Sequence, residues 1–195
     1  MKSVLAFLIF GLASAAATPI ETVFVPDESH LSFRVRHFVM RVTGELRGIE
    51  GTLTFNPDLP EKSTVSARLP VSAIDTDNKK RDNHLRGDDF FKADSFPEVH
   101  FQSTQWAATR SETRYLVTGD LTMRGTTREI TLEARLVEMS RTPEDLHVMR
   151  WEVETKLDRR SWGITYGRGA IGNDVTITLE VLAQQPVRSP AKPSE

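Results

Sequence analysis

Apolar residues that recur at every second position restrict a chain to β-strands, because a pleated strand sends successive side chains to opposite faces. This sequence shows that period from Phe24 onward. Leu31, Phe33, Val35 and His37 share one face, with Ser32, Arg34 and Arg36 on the other. Val42, Gly44 and Leu46 open a second run; its phase slips between Gly48 and Ile49, and Gly51, Leu53 and Phe55 resume it. A slip of this kind predicts a bulge. Asn56-Pro57-Asp58 is a turn signal, and Val65, Ala67, Leu69 and Val71 form a third run. Five more runs cover 99–106, 115–123, 129–137, 147–157 and 175–183, with Arg124-Gly125-Thr126-Thr127 as a hairpin connection. Eight such runs with turn signals between them predict an all-β antiparallel barrel or sandwich.

The stretch 77–93 departs from the alternation. It is charged and compatible with a short helix, which Asp77 or Asn78 would cap and on which Arg81 and Leu85 would share a face. Asp88 would cap a further turn presenting Phe90 and Phe91. Inserted between strands, such a segment plugs or lids one end of a barrel. An eight-stranded barrel either fills itself with side chains or holds one small ligand. Gly44, Gly51 and Ala67 on the presumptive inner face leave room beside the aromatic residues, which points toward a cavity.

The two ends carry different signals. Lys2, the apolar run from Val4 to Leu12 and the small residues from Ala13 to Ala17 read as an export signal over 1–17, with cleavage after Ala15 or Ala17. The run is too short to span a bilayer, so no stable membrane anchor is expected. The barrel domain is expected over 18–184. Residues 185–195, with Pro186, Pro190 and Pro193, are expected to be a disordered tail. Cysteine is absent from the 195 residues, which excludes thiol chemistry, thiolate metal sites and a lipidated N-terminal cysteine. With 25 basic and 27 acidic residues and no basic block, the chain lacks the footprint of a nucleic-acid binder. In a Gram-negative bacterium, export would lead to the periplasm.

Catalytic signals are weak. His30, His37, His84, His100 and His147 include no pair at the i, i+4 spacing of a helical zinc site, and His84 with Asp88 has no third ligand. No Gly-x-Ser-x-Gly elbow or glycine-rich phosphate loop is present. The adjacent Asp88 and Asp89 read as a cap and a solvated charge. No catalytic residue, metal or cofactor is expected, and an enzyme using His84 and Asp82 as acid and base is the weakest reading.

Several ordered motifs are more specific. Ile74-Asp75-Thr76-Asp77-Asn78, Arg81-Asp82-Asn83-His84-Leu85-Arg86, Asp89-Phe90-Phe91, Phe96-Pro97 and Phe101 resemble the YceI-like family. So does Gly119-Asp120-Leu121-Thr122-Met123-Arg124-Gly125-Thr126-Thr127-Arg128. Ser32-Phe33-x-Val35-x-His37 and Val42-x-Gly44 fit its opening strands, and Arg160, Trp162-Gly163-Ile164 and Gly172-Asn173-Asp174-Val175 fit its closing segment. The resemblance runs in order from about Val25 to Ala183. Departures are Gly87 in place of serine, Met123 in place of isoleucine and Trp162 in place of phenylalanine, the last expected to reshape the cavity.

The resemblance implies an eight-stranded, lipocalin-like antiparallel barrel, exported to the periplasm, that binds an isoprenoid-type lipid such as a quinone or polyprenyl chain for transport or storage. Phe33, Val35, Leu53, Phe55, Leu69, Phe101, Leu121 and Trp162 would line the chain, and Phe90 and Phe91 would close one end. His37, Arg81, His84, Asp82 and Arg124 are the candidates for head-group contact or for a structural network that pins the insertion. Sequestration of exogenous hydrophobic molecules such as antibiotics would use the same cavity. A homodimer is compatible with exposed strands.

Overall fold

The computed structural model describes residues 18–187. The export signal expected over 1–17 and residues 188–195 of the expected tail lie outside the described residues. Among the described residues there are eleven strands: β1 (Ile20–Phe24), β2 (His30–His37), β3 (Met40–Arg47), β4 (Glu50–Phe55), β5 (Thr64–Pro70), β6 (Ile74–Asp75), β7 (Glu98–Ala108), β8 (Arg114–Met123), β9 (Thr126–Arg141), β10 (His147–Asp158) and β11 (Ile171–Gln184). A single α-helix among the described residues, α1, spans Lys79–Arg86.

All strand pairs are antiparallel, and the last strand returns to the first: β11 pairs with both β1 and β2. β1 and β2 are two lengths of one stave, interrupted by a 3₁₀ turn over Pro26–Glu28, where proline cannot donate to the ladder. The buried Ser29 hydroxyl spans the break through both backbone groups of Leu182. β3 and β4 form the second stave. Counted this way, eight staves close into one barrel, as the eight alternating runs predicted.

The phase slip at Gly48 and Ile49 has a backbone cause. Gly48 adopts a positive φ of 73°, a region that glycine enters without steric cost. Leu46 and Ile49, three residues apart, are therefore both buried. The β8–β9 connection is a two-residue turn in which Arg124 and Gly125 both have positive φ, 51° and 71°. That pairing matches the twist of adjoining strands.

The insertion lies between β5 and β7, and Asn78 is its helix cap: the side-chain carbonyl accepts the Arg81 backbone N–H at 3.0 Å. Asp77 instead takes a positive φ of 59°. No second helix follows. Residues 87–92 turn back through bonds from Phe90 and Lys92 N–H to the Gly87 carbonyl, so Asp88 caps nothing.

Strand directions place α1, the β2–β3 and β8–β9 hairpins and the β10–β11 loop at one end, called the upper end below. At the other end Phe55, Trp106, Tyr115 and Trp151 pack mutually, with ring centroids 5.1–6.3 Å apart. Phe55 and Met149 are wholly buried there, which closes that end. The room expected beside Gly44 and Gly51 is already taken. A side chain on Gly44 would run into the Phe33 ring, and a Cβ on Gly51 would lie 2.6 Å from both the Phe24 ring and the Ser66 carbonyl oxygen. Glycine is required there by the close approach of groups from the neighbouring strands. Gly51→Ala should therefore destabilise the fold by about 1–3 kcal/mol, read as a Tm several degrees lower in thermal denaturation.

Candidate ligand-binding site

A continuous cavity of about 240 Å³ lies within the barrel, above the aromatic floor. Every staves' inner face contributes to it. Its wall is aliphatic or aromatic throughout, except for Thr155 and Arg159. Leu31, Val65, Val99, Ile130, Leu132 and Val153 face inward and pack against the core, yet are only half-buried. Their tips meet the hollow rather than another side chain. The barrel interior is thus under-filled by side chains of middling size, whereas its lower end is filled by rings.

Phe33, Val35, Leu53, Leu69, Phe90, Phe91, Phe101 and Leu121 all lie in this wall. Three residues expected beside them do not. His37 shares their strand face but lies beyond the rim, exposed, against Phe38 with ring centroids 4.9 Å apart. Phe55 points inward at the closed end and sits beneath the floor made by Trp106 and Trp151. Trp162 belongs to a 3₁₀ turn over Arg159–Trp162; its indole N–H donates to the Leu121 carbonyl at 3.1 Å, which locks the turn to β8. The expected effect of Trp162 on cavity shape is therefore absent from the wall itself.

The polar candidates form a scaffold around the upper end. The carboxylate of the buried Asp82 accepts the Thr76 backbone N–H at 3.0 Å and its hydroxyl at 2.5 Å. Arg81 donates to the Thr76 hydroxyl at 2.7 Å and carbonyl at 2.6 Å. His84 is exposed, 2.9 Å from Asp89, and its ring packs edge-on against Phe90 and Tyr166. Arg124 donates to the carbonyls of Gly163 and Asp88, tying the insertion to the β10–β11 loop. None of the four reaches the cavity wall. A head-group role for them has no geometric support here; they hold loop backbone in place.

Arg159 was not among the expected residues. It is 5% exposed and is the one charged side chain in the cavity wall among the described residues. Its guanidinium donates to the carbonyls of Ile164 at 2.8 Å, Ile171 at 3.2 Å and Gly172 at 2.8 Å. Burial lowers its pKa from the usual arginine value, but a guanidinium stays charged at neutral pH. Beside it, the Asp158 carboxylate accepts from the side chain and backbone N–H of Arg160, and those bonds pull its pKa down to about 2. No sequence signal marked Arg159, because an arginine in a polar turn between strands reads as solvated.

The geometry defines a class: a closed antiparallel barrel with one aromatic floor, a hollow apolar interior and a hydrogen-bonded upper rim. The YceI-like domain matches residues 23–183, and the chain belongs to that family. Protein YceI of Salmonella newport is 29% identical over 178 residues, covering 91% of this chain and 92% of that protein. In fold, the crystal structure of Burkholderia cenocepacia BcnA superposes with a TM-score of 0.74 at 17% identity, covering 82% of this chain and 98% of that one. A polyisoprenoid binding domain from Saccharophagus degradans, implicated in plant cell wall breakdown, superposes with a TM-score of 0.62 at 13% identity, covering 87% and 100%.

The lowered Asp158 pKa has a definite pH consequence. A carboxyl whose folded pKa lies below its unfolded one stabilises above the unfolded value, and that contribution is lost as pH falls through about 2. The pair is exposed at the Arg160 side, so the effect on stability is small. An NMR titration should give Asp158 a midpoint at about 2, moving up toward the ordinary aspartate range in Arg160→Gln.

Proposed function

We propose that the barrel binds an isoprenoid-type lipid, a quinone or polyprenyl chain, and keeps it in soluble form for transport or storage. The observation that carries this reading is the uninterrupted apolar hollow, lined by residues that the chain leaves half-buried. An unfilled apolar hollow forgoes packing contacts that a fitted ligand would restore. A long, narrow, branched hydrocarbon fills such a hollow better than a compact molecule does. The solved neighbour that binds a polyisoprenoid supports the same ligand class. The tail would lie against Trp106 and Trp151, and a polar head would reach the upper rim, where Arg159 supplies positive charge.

Transfer energetics favour shape over hydrophobicity. Each isoprene unit moved out of water gains about 3–4 kcal/mol at roughly 0.8 kcal/mol per carbon group. A lipid leaving a bilayer gains almost none of this, because both environments are apolar. Contact with the fitted wall then decides the transfer. The export signal read in 1–17 supports a periplasmic setting. The apolar lining of the cavity wall among the described residues supports a binding role. Sequestration of exogenous apolar molecules uses the same wall and remains the second reading.

Solvent extraction and mass spectrometry of protein purified from its own periplasm should yield an isoprenoid of defined mass. Ala67→Trp, which fills the hollow beside Phe101, and Phe101→Arg, which charges it, should each cut the bound lipid at least tenfold while the barrel still melts cooperatively. Unchanged lipid content in both variants would refute the assignment. So would an empty parent protein that takes up no added isoprenoid.

A further inference from the structure

The tip of the β2–β3 hairpin is built in a way that folding alone does not favour. His37 pairs with Met40, so Phe38 and Val39 form a two-residue connection. Phe38 takes a positive φ of 51°, a conformation that bulky side chains adopt only under strain and that such turns usually give to glycine or asparagine. The three tip residues are among the most exposed apolar side chains described: Phe38 is 62% exposed, Met40 71% and Val39 99%. Strain held at a solvent-facing aromatic residue is a mark of function rather than of stability.

The charges around the tip point the same way. Arg36 and Arg41 lie directly opposite each other across β2 and β3, an arrangement in which like charges repel. Arg34 lies on the same exposed face, and no acidic residue occurs between Ser32 and Gly44. Arg168 is carried by the adjoining loop, which meets the tip where the Phe38 N–H donates to the Ala170 carbonyl at 2.7 Å. Among the described residues, none of these four arginines forms an ion pair. Asp158 and Asp174 on the neighbouring strands are already held by Arg160 and Lys156. An apolar wedge ringed by uncompensated arginines is complementary to a bilayer surface with anionic headgroups: the wedge enters the acyl boundary and the guanidinium groups meet phosphates.

The position fits this partner. β3 is covered on its far edge by β6 at Glu45 and Leu46 alone, so its outer half, from Met40 to Gly44, has no strand neighbour on that side. The cavity residues Phe33 and Val35 lie on this same hairpin, four and two residues below its end at His37. We infer that the β2–β3 hairpin, with Phe38, Val39 and Met40 at its tip and Arg34, Arg36, Arg41 and Arg168 around it, docks the barrel's upper end on an anionic lipid bilayer. The contact holds the cavity's upper end at the membrane surface while the protein stays unanchored. The inference rests on the hairpin and its charges, not on the identity of the molecule in the cavity.

Cosedimentation of the full chain with phosphatidylcholine vesicles, with and without phosphatidylglycerol, tests it. Binding should require phosphatidylglycerol and weaken as salt rises. Arg36→Gln and Arg41→Gln should each lower the partition constant about fivefold. Phe38→Gly combined with Val39→Asn should lower it at least tenfold. Glycine suits the positive φ at position 38, so this variant should melt no lower than the parent, and its loss of binding cannot be ascribed to unfolding. The inference is overturned if the parent ignores phosphatidylglycerol vesicles, or if the substitutions leave vesicle binding unchanged. It is equally overturned if they alter only the protein's own sedimentation mass, which would make the tip a contact between copies of this chain. Isoprenoid content, measured on the same samples, should be the same in parent and hairpin variants, so a failure here is separable from a failure of the cavity assignment.

Discussion

The return of the last strand to the first governs everything else in this protein. β11 pairs with β2 from Glu180 to Ile171 and with β1 at Ala183 and Gln184. Once those bonds form, the ring of eight staves has a fixed circumference, and the interior must take whatever volume that circumference encloses. Wall residues of valine, isoleucine and leucine size, set on such a ring, do not meet across its middle. The cavity is thus a product of closure and side-chain size together, and needs no special loop to hold it open. The mutually packed cluster of Phe55, Trp106, Tyr115 and Trp151 fills the lower end, whereas higher up the rings of Phe33, Phe90, Phe91 and Phe101 stand in the wall and leave the middle open.

The same closure explains why the two ends differ in kind. The lower end is sealed by ring-against-ring packing among Phe55, Trp106, Tyr115 and Trp151, and opening it would expose large apolar areas to water. The upper end is sealed by arginines that cap loop carbonyls: Arg124 on Asp88 and Gly163, Arg128 on Ser161, Arg159 on Ile164, Ile171 and Gly172. Water can replace bonds to carbonyls at a net cost of about 1 kcal/mol each. It cannot replace aromatic contacts so cheaply. The free energy of opening therefore favours the upper end, where the insertion and the two hairpins meet.

Much of this was legible in the sequence, for a physical reason. Period-two alternation reports which face a residue takes, so the eight staves, the slip at Gly48 and the inward set from Phe33 to Leu121 could all be read from it. Alternation does not report depth along the barrel axis. His37 and Phe55 have the right parity but lie past the rim and under the floor, and parity alone cannot distinguish these places from the wall. Nor does it report what faces a glycine: Gly44 and Gly51 read as open space, whereas the Phe33 and Phe24 rings occupy it. The inward residues of β9 to β11, including Ile130, Leu132, Val153, Ile177 and Leu179, follow the same alternation and were within reach of the same argument. Arg159 was not, since its role comes from three carbonyls that only the folded loop brings to it.

The upper end suits the proposed carrier, which would have to release its ligand there. A ligand bound by dispersion alone, in a hollow closed by aromatic rings on both sides, would leave only when the barrel unfolds. Here the apolar contacts that hold a chain and the polar contacts that close the rim are carried by different residues. The first set lines the staves; the second ties loops to one another without touching the wall, Arg159 excepted. Opening the rim would therefore leave the cavity wall intact, and Arg159 is the point at which the two sets meet.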